Sequence, residues 1–379
     1  MLTGTAWRIG RVFGIKIRID TSWLIIFALV LVTLSGQYFP HVRPARSVPL
    51  HWFLGIITTI LFFSSVLAHE LAHSLVAIRQ GESVRSITLF LFGGVAEITK
   101  EPDEPAKEFV MAIAGPVTSV ALGGVFLLIW WLTRGVWLSA AAVSGWLMQM
   151  NFVLAVFNLV PGYPLDGGRI LRSIIWKLTG DIGKATRAAS RVGQVFAILL
   201  MGLGVYILVD SFRQGEGSLG GIWLVMIGWF LHSAAVRGYE QVRMREILSR
   251  TRVEQVMSRN LPWVPLALTL QSLIHDYVLA GLGRAFLVGD GAVLEGIVCL
   301  SDVKKVETRR WSRTPVGEVM MPSEKLLLAN PRDSLEQVLG RMAARGCAQV
   351  PVVEGNRVIG LISRQEIVDL FKTKPEVDM

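Results

Sequence analysis

The pentapeptide His69-Glu70-Leu71-Ala72-His73 lies inside a strongly apolar stretch of the chain. The stretch begins near Leu50 as LHWFLGIITTILFFSSVLA and continues beyond the pentapeptide as SLVAI. Its length predicts a helix that crosses a membrane, and residues four apart lie on one face of a helix. Ionisable side chains inside such a helix usually have a function. The alternative is that the two histidines hydrogen-bond neighbouring helices or lie at the membrane surface.

The spacing of the pentapeptide is the HExxH arrangement that is typical of zinc hydrolases. His69 and His73 would offer two imidazoles to one metal ion, and Glu70 would handle protons beside them. Two imidazoles leave a zinc site incomplete, so a third ligand is expected elsewhere in the chain.

The composition indicates a membrane protein. Of 379 residues, 52% are hydrophobic and only 18% are charged, whereas about a quarter of an average soluble domain is charged. The net charge of +9 does not indicate nucleic acid, because the basic residues concentrate in loops between apolar runs. Such loops are typical of a cytoplasmic surface against lipid, so the predicted partner is the bilayer. The two cysteines, Cys299 and Cys347, have no metal-ligand spacing and fit a reducing compartment.

Six apolar runs are interpreted as membrane spans, of which the first, at about 14 residues, is shorter than the length that a bilayer requires. They cover about residues 21–34, 50–78, 109–132, 136–160, 192–209 and 219–236. A segment of net positive charge, residues 1–20, precedes the first run. We interpret that run as a span and not as a signal peptide, because no small-x-small cleavage site follows closely.

Residues 83–99 (SVRSITLFLFGGVAEIT) predict a membrane-associated β-hairpin that turns at Gly93-Gly94. Its edge at Ile87, Leu89 and Leu91 is a candidate for substrate binding by strand addition. The alternative is a hairpin that serves only for packing.

The distribution of Lys and Arg predicts that both termini are cytoplasmic. The segments after the fourth and sixth spans are rich in Arg, whereas the loop after the fifth has only Arg213. The pentapeptide then lies toward the cytoplasmic end of the second span, in the cytoplasmic (cell) membrane.

A second motif, Asn158-Leu-Val-Pro-Gly-Tyr-Pro-Leu-Asp166-Gly-Gly-Arg169, follows the fourth span. Its prolines and glycines predict a break in the helix, which is tolerated at membrane depth only where protein or a wet cavity shields it. Asp166 would emerge at the same level as the two histidines and can be the third zinc ligand, leaving a fourth position for water. The alternative is a solvated aspartate that caps the next helix.

Taken together, HELAH in one span, Ala114-Gly115-Pro116 in the next and NLVPGYPLDGGR after a later one resemble the site-2 protease family of intramembrane zinc metalloproteases. The resemblance covers roughly residues 20–240. It implies that His69, His73 and Asp166 bind one zinc ion per chain and that Glu70 is the catalytic acid and base. It also implies that Asn158 helps position the substrate, and that the substrate is a transmembrane protein or a signal peptide.

The tail carries an internal repeat with an offset of about 63–64 residues. Val253-Glu-Gln-Val-Met257 matches Val316-Gly-Glu-Val-Met320, and Gly296-Ile-Val-Cys-Leu-Ser-Asp302 matches Gly360-Leu-Ile-Ser-Arg-Gln-Glu366. The pair resembles tandem cystathionine-β-synthase (CBS) domains. That family implies an adenine nucleotide at Asp302 and Ser363, although each copy matches its pattern imperfectly. A structural module that pairs two protomers into a homodimer is the alternative.

The predicted fold is thus a polytopic α-helical membrane protein with a β-hairpin, followed by a soluble α/β tandem CBS domain. The predicted divisions are a membrane metalloprotease domain at 1–238, a linker at 239–250, and CBS domains at 251–311 and 312–379. The expected activity is hydrolysis of peptide bonds in or near transmembrane segments. Its rivals are a CBS-regulated transporter or channel, which does not need HELAH with PLDGG, and a catalytically dead scaffold, which the intact set of ligands disfavours.

Overall fold

A computed structural model describes residues 6–43, 46–99, 102–214, 219–291, 293–355 and 357–373. Contacts between residues divide the chain into two compact units, Met1–Val242 and Arg243–Met379. Each unit has its own architecture and is described separately.

The first unit begins with two strands that the sequence analysis missed, β1 (Trp7–Val12) and β2 (Ile15–Ile19). They form an antiparallel hairpin, and β2 then pairs in parallel with β3 (Val84–Phe90), which pairs antiparallel with β4 (Gly93–Ile98). The result is a four-stranded sheet in the order β1-β2-β3-β4. The predicted hairpin at 83–99 is therefore confirmed, but it is half of a larger sheet. Its turn lies at Leu91 and Phe92 and not at Gly93-Gly94, which begin β4.

This topology corrects the prediction for Ile87, Leu89 and Leu91. Strand β3 lies between β2 and β4, so it has no free edge for another strand. Ile87 and Leu89 are buried, and the backbone N–H of Leu91 donates to the Ser22 hydroxyl. These residues hold the sheet together, and the edge beside the hairpin belongs to β4.

Six helices of the described residues are long and apolar enough to cross a membrane, which confirms the six predicted spans. The first span joins α1 (Trp23–Thr33), a π-helical turn and α2 (Phe39–Val42). The others are α3 (Val48–Arg79), α4 (Pro105–Thr133), α5 (Leu138–Asn158), α7 (Ile182–Arg213) and α8 (Leu219–Arg250). The predicted linker at 239–250 is a helical continuation of α8.

Between α5 and α7 the chain breaks as predicted and then forms α6 (Asp166–Thr179), a short helix that the sequence analysis treated as loop. The break includes a cis peptide bond between Tyr163 and Pro164. Protein shields this irregular backbone, because the N–H of Tyr163 donates to the carbonyl of Ala189 in α7.

The second unit contains two similar strand–helix modules. The first module has β5 (Trp263–Val264), α9 (Leu270–Ser272), β6 (Ala285–Gly289), β7 (Leu294–Cys299) and α10 (Leu300–Val303). The second has α11 (Val316–Val319), β8 (Met321–Pro322), α12 (Leu335–Arg345), β9 (Gln349–Glu354), β10 (Arg357–Ser363) and α13 (Arg364–Thr373).

The two modules exchange their first segments. Val253, which opens the first repeat, is buried in the apolar core formed by Leu335, Val350 and their neighbours in the second repeat. Val316, which opens the second repeat, is buried in the core of the first. The linear division at 311–312 is therefore not the boundary along which the side chains pack.

Gly296 and Gly360, which occupy matching positions in the two repeats, lie at the contacts between the exchanged segments. A Cβ at Gly360 would lie 2.4 Å from the sulfur of Met257, and a Cβ at Gly296 would lie 2.5 Å from the carbonyl oxygen of Met321 and 2.7 Å from the sulfur of Met320. Each repeat thus uses a glycine on one strand to admit the methionine segment of the other repeat.

We expect Gly296→Ala to destabilise the β6–β7 region by about 1–3 kcal/mol, because a backbone carbonyl cannot move away from the new methyl group as a flexible side chain can. Hydrogen-exchange mass spectrometry of the full chain, on peptides from Ala285–Cys299, measures the change. Gly340→Ala in α12 is the matched control, since its Cβ would meet nothing within 4 Å. Equal exchange rates in Gly296→Ala and the parent would contradict the exchange of segments.

Candidate metal centre

Three side chains from two helices converge at one point inside the first unit. The Nε2 atoms of His69 and His73 on α3 are 3.2 Å apart. They lie 3.1 and 3.2 Å from Oδ2 of Asp166, the first residue of α6. The three residues are 3%, 5% and 9% exposed, and they form a group of donor atoms able to hold a metal ion. The structure therefore brings together all three predicted ligands.

Hydrogen bonds from α4 fix both imidazole rings. Nδ1 of His73 donates to the backbone carbonyl of Met111 at 2.7 Å, and Nδ1 of His69 lies 2.9 Å from the Ser119 hydroxyl. Because a carbonyl only accepts, the proton of neutral His73 resides on Nδ1, and its Nε2 lone pair faces the cluster. A partner on the second ring nitrogen is typical of metal-binding histidines.

Gly115 gives the two rings their space. A Cβ at this position would lie 2.2 Å from Nε2 of His73 and 2.5 Å from Nε2 of His69. Gly115 is on α4, one turn from Met111 and from Ser119, so the same helix face both orients the rings and leaves room for their Nε2 atoms. Any other residue here would occupy the point at which the donors meet.

The break before α6 delivers Asp166. A Cβ at Gly167 would lie 2.2 Å from the carbonyl oxygen of Leu159, and one at Gly168 would lie 2.1 Å from the backbone nitrogen of Tyr163. The loop therefore folds directly over the first turn of α6, which explains the two glycines after Asp166. The alternative of a solvated capping aspartate is wrong, because the N-cap is Leu165 and Asp166 is the buried first residue of α6. Its carboxylate lies against the histidines.

A buried ion pair ties α4 to α6. Nε of Arg172 donates to Oε1 of Glu108 at 2.8 Å, and a second guanidinium nitrogen of Arg172 contacts the same oxygen. Both residues are buried, and Nε of Arg169 lies 3.7 Å from that oxygen. The pair joins the helix that orients the histidines to the helix that carries Asp166. Removing one partner would leave an unpaired charge, so this contact fixes the spacing of the two helices.

Glu70 lies beside the ligands and against the sheet. A Cβ at Gly94 of β4 would lie 2.4 Å from Cγ of Glu70. The edge strand thus passes directly over the side chain predicted to handle protons, and only a glycine permits this approach.

The remaining predicted site residues have structural contacts. The amide nitrogen of Asn158, at the end of α5, donates to the carbonyl of Leu154. In the second unit, the Asp302 carboxylate accepts from the N–H of Cys299 and pairs with Lys305. The Ser363 hydroxyl accepts from the N–H of Glu366.

Sequence reasoning missed several residues that build the site: Met111, Ser119, Gly94, Glu108 and Arg172. The contact of Met111 uses its backbone carbonyl, so no side-chain pattern could reveal it. The missed hairpin, in contrast, had a signal, because Ile15, Ile17 and Ile19 alternate with Lys16 and Arg18.

The donor set fits zinc. Imidazole nitrogen and carboxylate oxygen are common zinc ligands, and donors about 2.0–2.2 Å from a tetrahedral zinc stand roughly 3.3 Å apart. The separations of 3.1 to 3.2 Å between the three donors agree with this spacing. His69, His73 and Asp166 would hold the ion, and the hydrogen bonds from α4 would support it.

Comparisons with known proteins agree with this centre. The profile of peptidase family M50 matches residues 57–142 and 133–200, and the CBS domain profile matches residues 316–373. A protein of Synechocystis named as a zinc metalloprotease, sll0528, is 37% identical over 97% of this chain and 95% of its own length. The protein Rip3 of Mycobacterium tuberculosis, also named as a zinc metalloprotease, is 34% identical over 96% and 92%.

Among solved structures, the site-2 protease of Methanocaldococcus jannaschii is 27% identical, covers 62% of this chain and 95% of its own chain, and aligns with a TM-score of 0.42. The sequence relatives extend over nearly the whole chain, and the M50 match contains both histidines and Asp166. This chain therefore belongs to peptidase family M50, the site-2 protease family of zinc metalloproteases, and carries a CBS domain after its membrane helices.

Proposed function

We propose that this metalloprotease hydrolyses peptide bonds in or near the transmembrane segments of other membrane proteins. The observation that carries the proposal is the burial of His69, His73 and Asp166 within a unit built from helices that are long enough to cross a membrane. A site at that depth meets membrane-embedded substrates sooner than soluble ones.

The proposed chemistry divides between the metal and Glu70. Zinc, when bound, supplies a Lewis acid that polarises the scissile carbonyl and lowers the pKa of water to about 7. Glu70 takes the proton of the attacking water and delivers it to the leaving amine. Its contact with Gly94 holds the side chain between the ligands and the edge strand.

We assign substrate binding to the edge of β4 in place of β3. A helical substrate must unwind before cleavage, and its freed backbone groups need partners at membrane depth. β4 ends the sheet in the described part of the chain, and its Gly94 contacts Glu70. A segment that adds to this edge would have its backbone beside the proton carrier. Asn158 stays a candidate for positioning the substrate.

The orientation and the tail complete the proposal. Lys and Arg counting favours cytoplasmic termini in a cell membrane. The CBS pair either regulates cleavage through an adenine nucleotide or pairs two protomers. Because Asp302 and Ser363 already cap the helices that follow their strands, nucleotide binding there would have to share or replace these contacts.

Gly115→Ala should lower zinc affinity by about tenfold or more, the loss typical of disturbed metal support, because its methyl group would enter the space between the two imidazoles. Elemental analysis of the purified chain measures zinc per protein. Gly124→Ala is the control on the same helix, since its Cβ meets nothing within 4 Å. Equal zinc content in both variants would show that zinc does not bind at this position.

Glu70→Gln should keep the zinc ligands and reduce cleavage by about 10³-fold or more, because the amide cannot carry the proton. Co-expression of parent and variant with tagged single-span membrane proteins identifies substrates that only the parent cleaves. Zinc content serves as the control for folding. Cleavage near the parental rate by zinc-loaded Glu70→Gln would reject the role of Glu70.

Strand addition at β4 predicts a specific cross-link. In the Glu70→Gln background, Val95→Cys on the exposed edge strand should form a disulfide with a cysteine placed near the cleavage site of such a substrate. Ile87→Cys, on the internal strand β3, is the control and should form none. Cross-linking at 87 as strong as at 95, or none at 95 when Val95→Cys still reacts with maleimide, would contradict the assignment.

A further inference from the structure

The outer face of the N-terminal sheet carries cations that oppose each other directly. The register of β1 with β2 pairs Arg8 with Arg18 and Arg11 with Lys16. Side chains directly opposite in an antiparallel pair are about 4.5–5.5 Å apart at Cβ, and like charges in this position destabilise a sheet. The fold thus accepts two repulsive pairs side by side.

Nothing in the sheet neutralises these four charges. Within the described part of the chain, none of the four side chains forms an ion pair. The one acidic residue in the four strands, Glu97, pairs with Arg85 and accepts a hydrogen bond from the Ser86 hydroxyl. The repulsion therefore persists unless an anion from outside the chain relieves it.

The opposite face of the same sheet is fully used. Ile15, Ile17 and Ile87 form an apolar cluster against Leu67 and Leu71 of α3. Because successive side chains of a strand point to opposite faces, this packing directs the cations away from the helices. Arg8 and Arg11 are exposed and Lys16 and Arg18 are half-buried, so an external partner can reach the basic face.

The connection to the first span places this face at the membrane surface. β2 ends at Ile19 and α1 begins at Trp23. Three intervening residues span at most about 10 Å of chain. Trp7, Ile9 and Phe13 on the edge hairpin are 58%, 61% and 72% exposed. Exposed aromatic and aliphatic side chains beside cations are typical of segments that lie in the headgroup region.

We propose that the face formed by Arg8, Arg11, Lys16 and Arg18, the basic sheet face, binds the phosphates of anionic lipid headgroups. A headgroup phosphate between opposed cations would convert each repulsive pair into an attractive site. Lipid binding here would stabilise the sheet whose inner face packs on α3. The proposal concerns a surface remote from hydrolysis and stands independently of the substrate.

The test uses the full chain in mixed micelles that contain phosphatidylcholine and phosphatidylglycerol in equal amounts. Mass spectrometry of the lipids retained after purification gives the ratio of the two. The parent should be enriched in phosphatidylglycerol. The test variant is Arg8→Gln/Arg11→Gln/Lys16→Gln/Arg18→Gln. Its enrichment in phosphatidylglycerol should fall by about tenfold or disappear, so that the retained lipids have the composition of the mixture.

A charge-matched control separates the basic sheet face from net charge. Lys304, Arg309, Arg310 and Arg313 are exposed cations of the second unit, and their replacement by Gln should leave the enrichment unchanged. Zinc content reports whether each variant is folded. Equal loss in both variants would assign the effect to overall charge and overturn the proposal.

Thermal unfolding provides a second measurement, in which the variant should gain stability although it loses lipid binding. In phosphatidylcholine alone, the variant of the basic sheet face should unfold at a higher temperature than the parent, because the repulsive pairs are gone. Added phosphatidylglycerol should stabilise the parent only. If inorganic phosphate stabilises the parent as well as the lipid does, the face binds a free anion and the proposed lipid is wrong. If the variant retains the same lipid ratio as the parent, the basic sheet face does not bind lipid at all.

Discussion

The first unit is organised around the meeting of two imidazoles from α3 with one carboxylate from α6. The three donor atoms stand 3.1 to 3.2 Å apart inside a bundle of apolar helices, where unpaired polar groups are costly. Each donor must therefore be held by a neighbour. α4 supplies that support through Met111 and Ser119, and it approaches closely because Gly115 has no side chain. α4 therefore has to lie directly against the two imidazole rings.

The same constraint explains the irregular backbone before α6. A continuous α5 would carry the chain past the histidines, so it must end at Asn158 for Asp166 to turn back toward them. The loop is tolerated because α7 covers it and glycines allow it to fold over α6. The Glu108–Arg172 pair then locks α6 against α4. Motif residues outside the donor cluster, such as the glycines after Asp166, thus set the geometry of the three donors.

The sequence allowed prediction of the features that depend on local pattern. Apolar length located six spans, and the spacing of His69, His73 and Asp166 in two motifs identified ligands that the structure brings together. The errors concern contacts between distant segments. The β1–β2 hairpin follows a period-two pattern, but basic residues on its outer face made it resemble a positively charged flank. The parallel pairing of β2 with β3 removed the edge assigned to Ile87 and Leu89. This pairing joins residues 70 positions apart, such as Ile17 and Ile87, and leaves no local signal in the sequence. The exchange of segments in the tail likewise follows from packing and not from the order of the repeats.

The two faces of the N-terminal sheet have different surroundings: the inner face packs on the helix that carries the histidines, and the outer face is the one proposed to bind lipid. Its inner face packs on Leu67 and Leu71, which flank His69 in sequence, and its edge strand touches Glu70 through Gly94. Strands in one sheet move together, since their backbone hydrogen bonds resist sliding of one strand along another. Hydrogen bonds therefore connect β1 and β2 through β3 to the strand beside Glu70. If the basic sheet face binds headgroups as proposed, they would fix the position of the sheet whose edge strand lies beside Glu70.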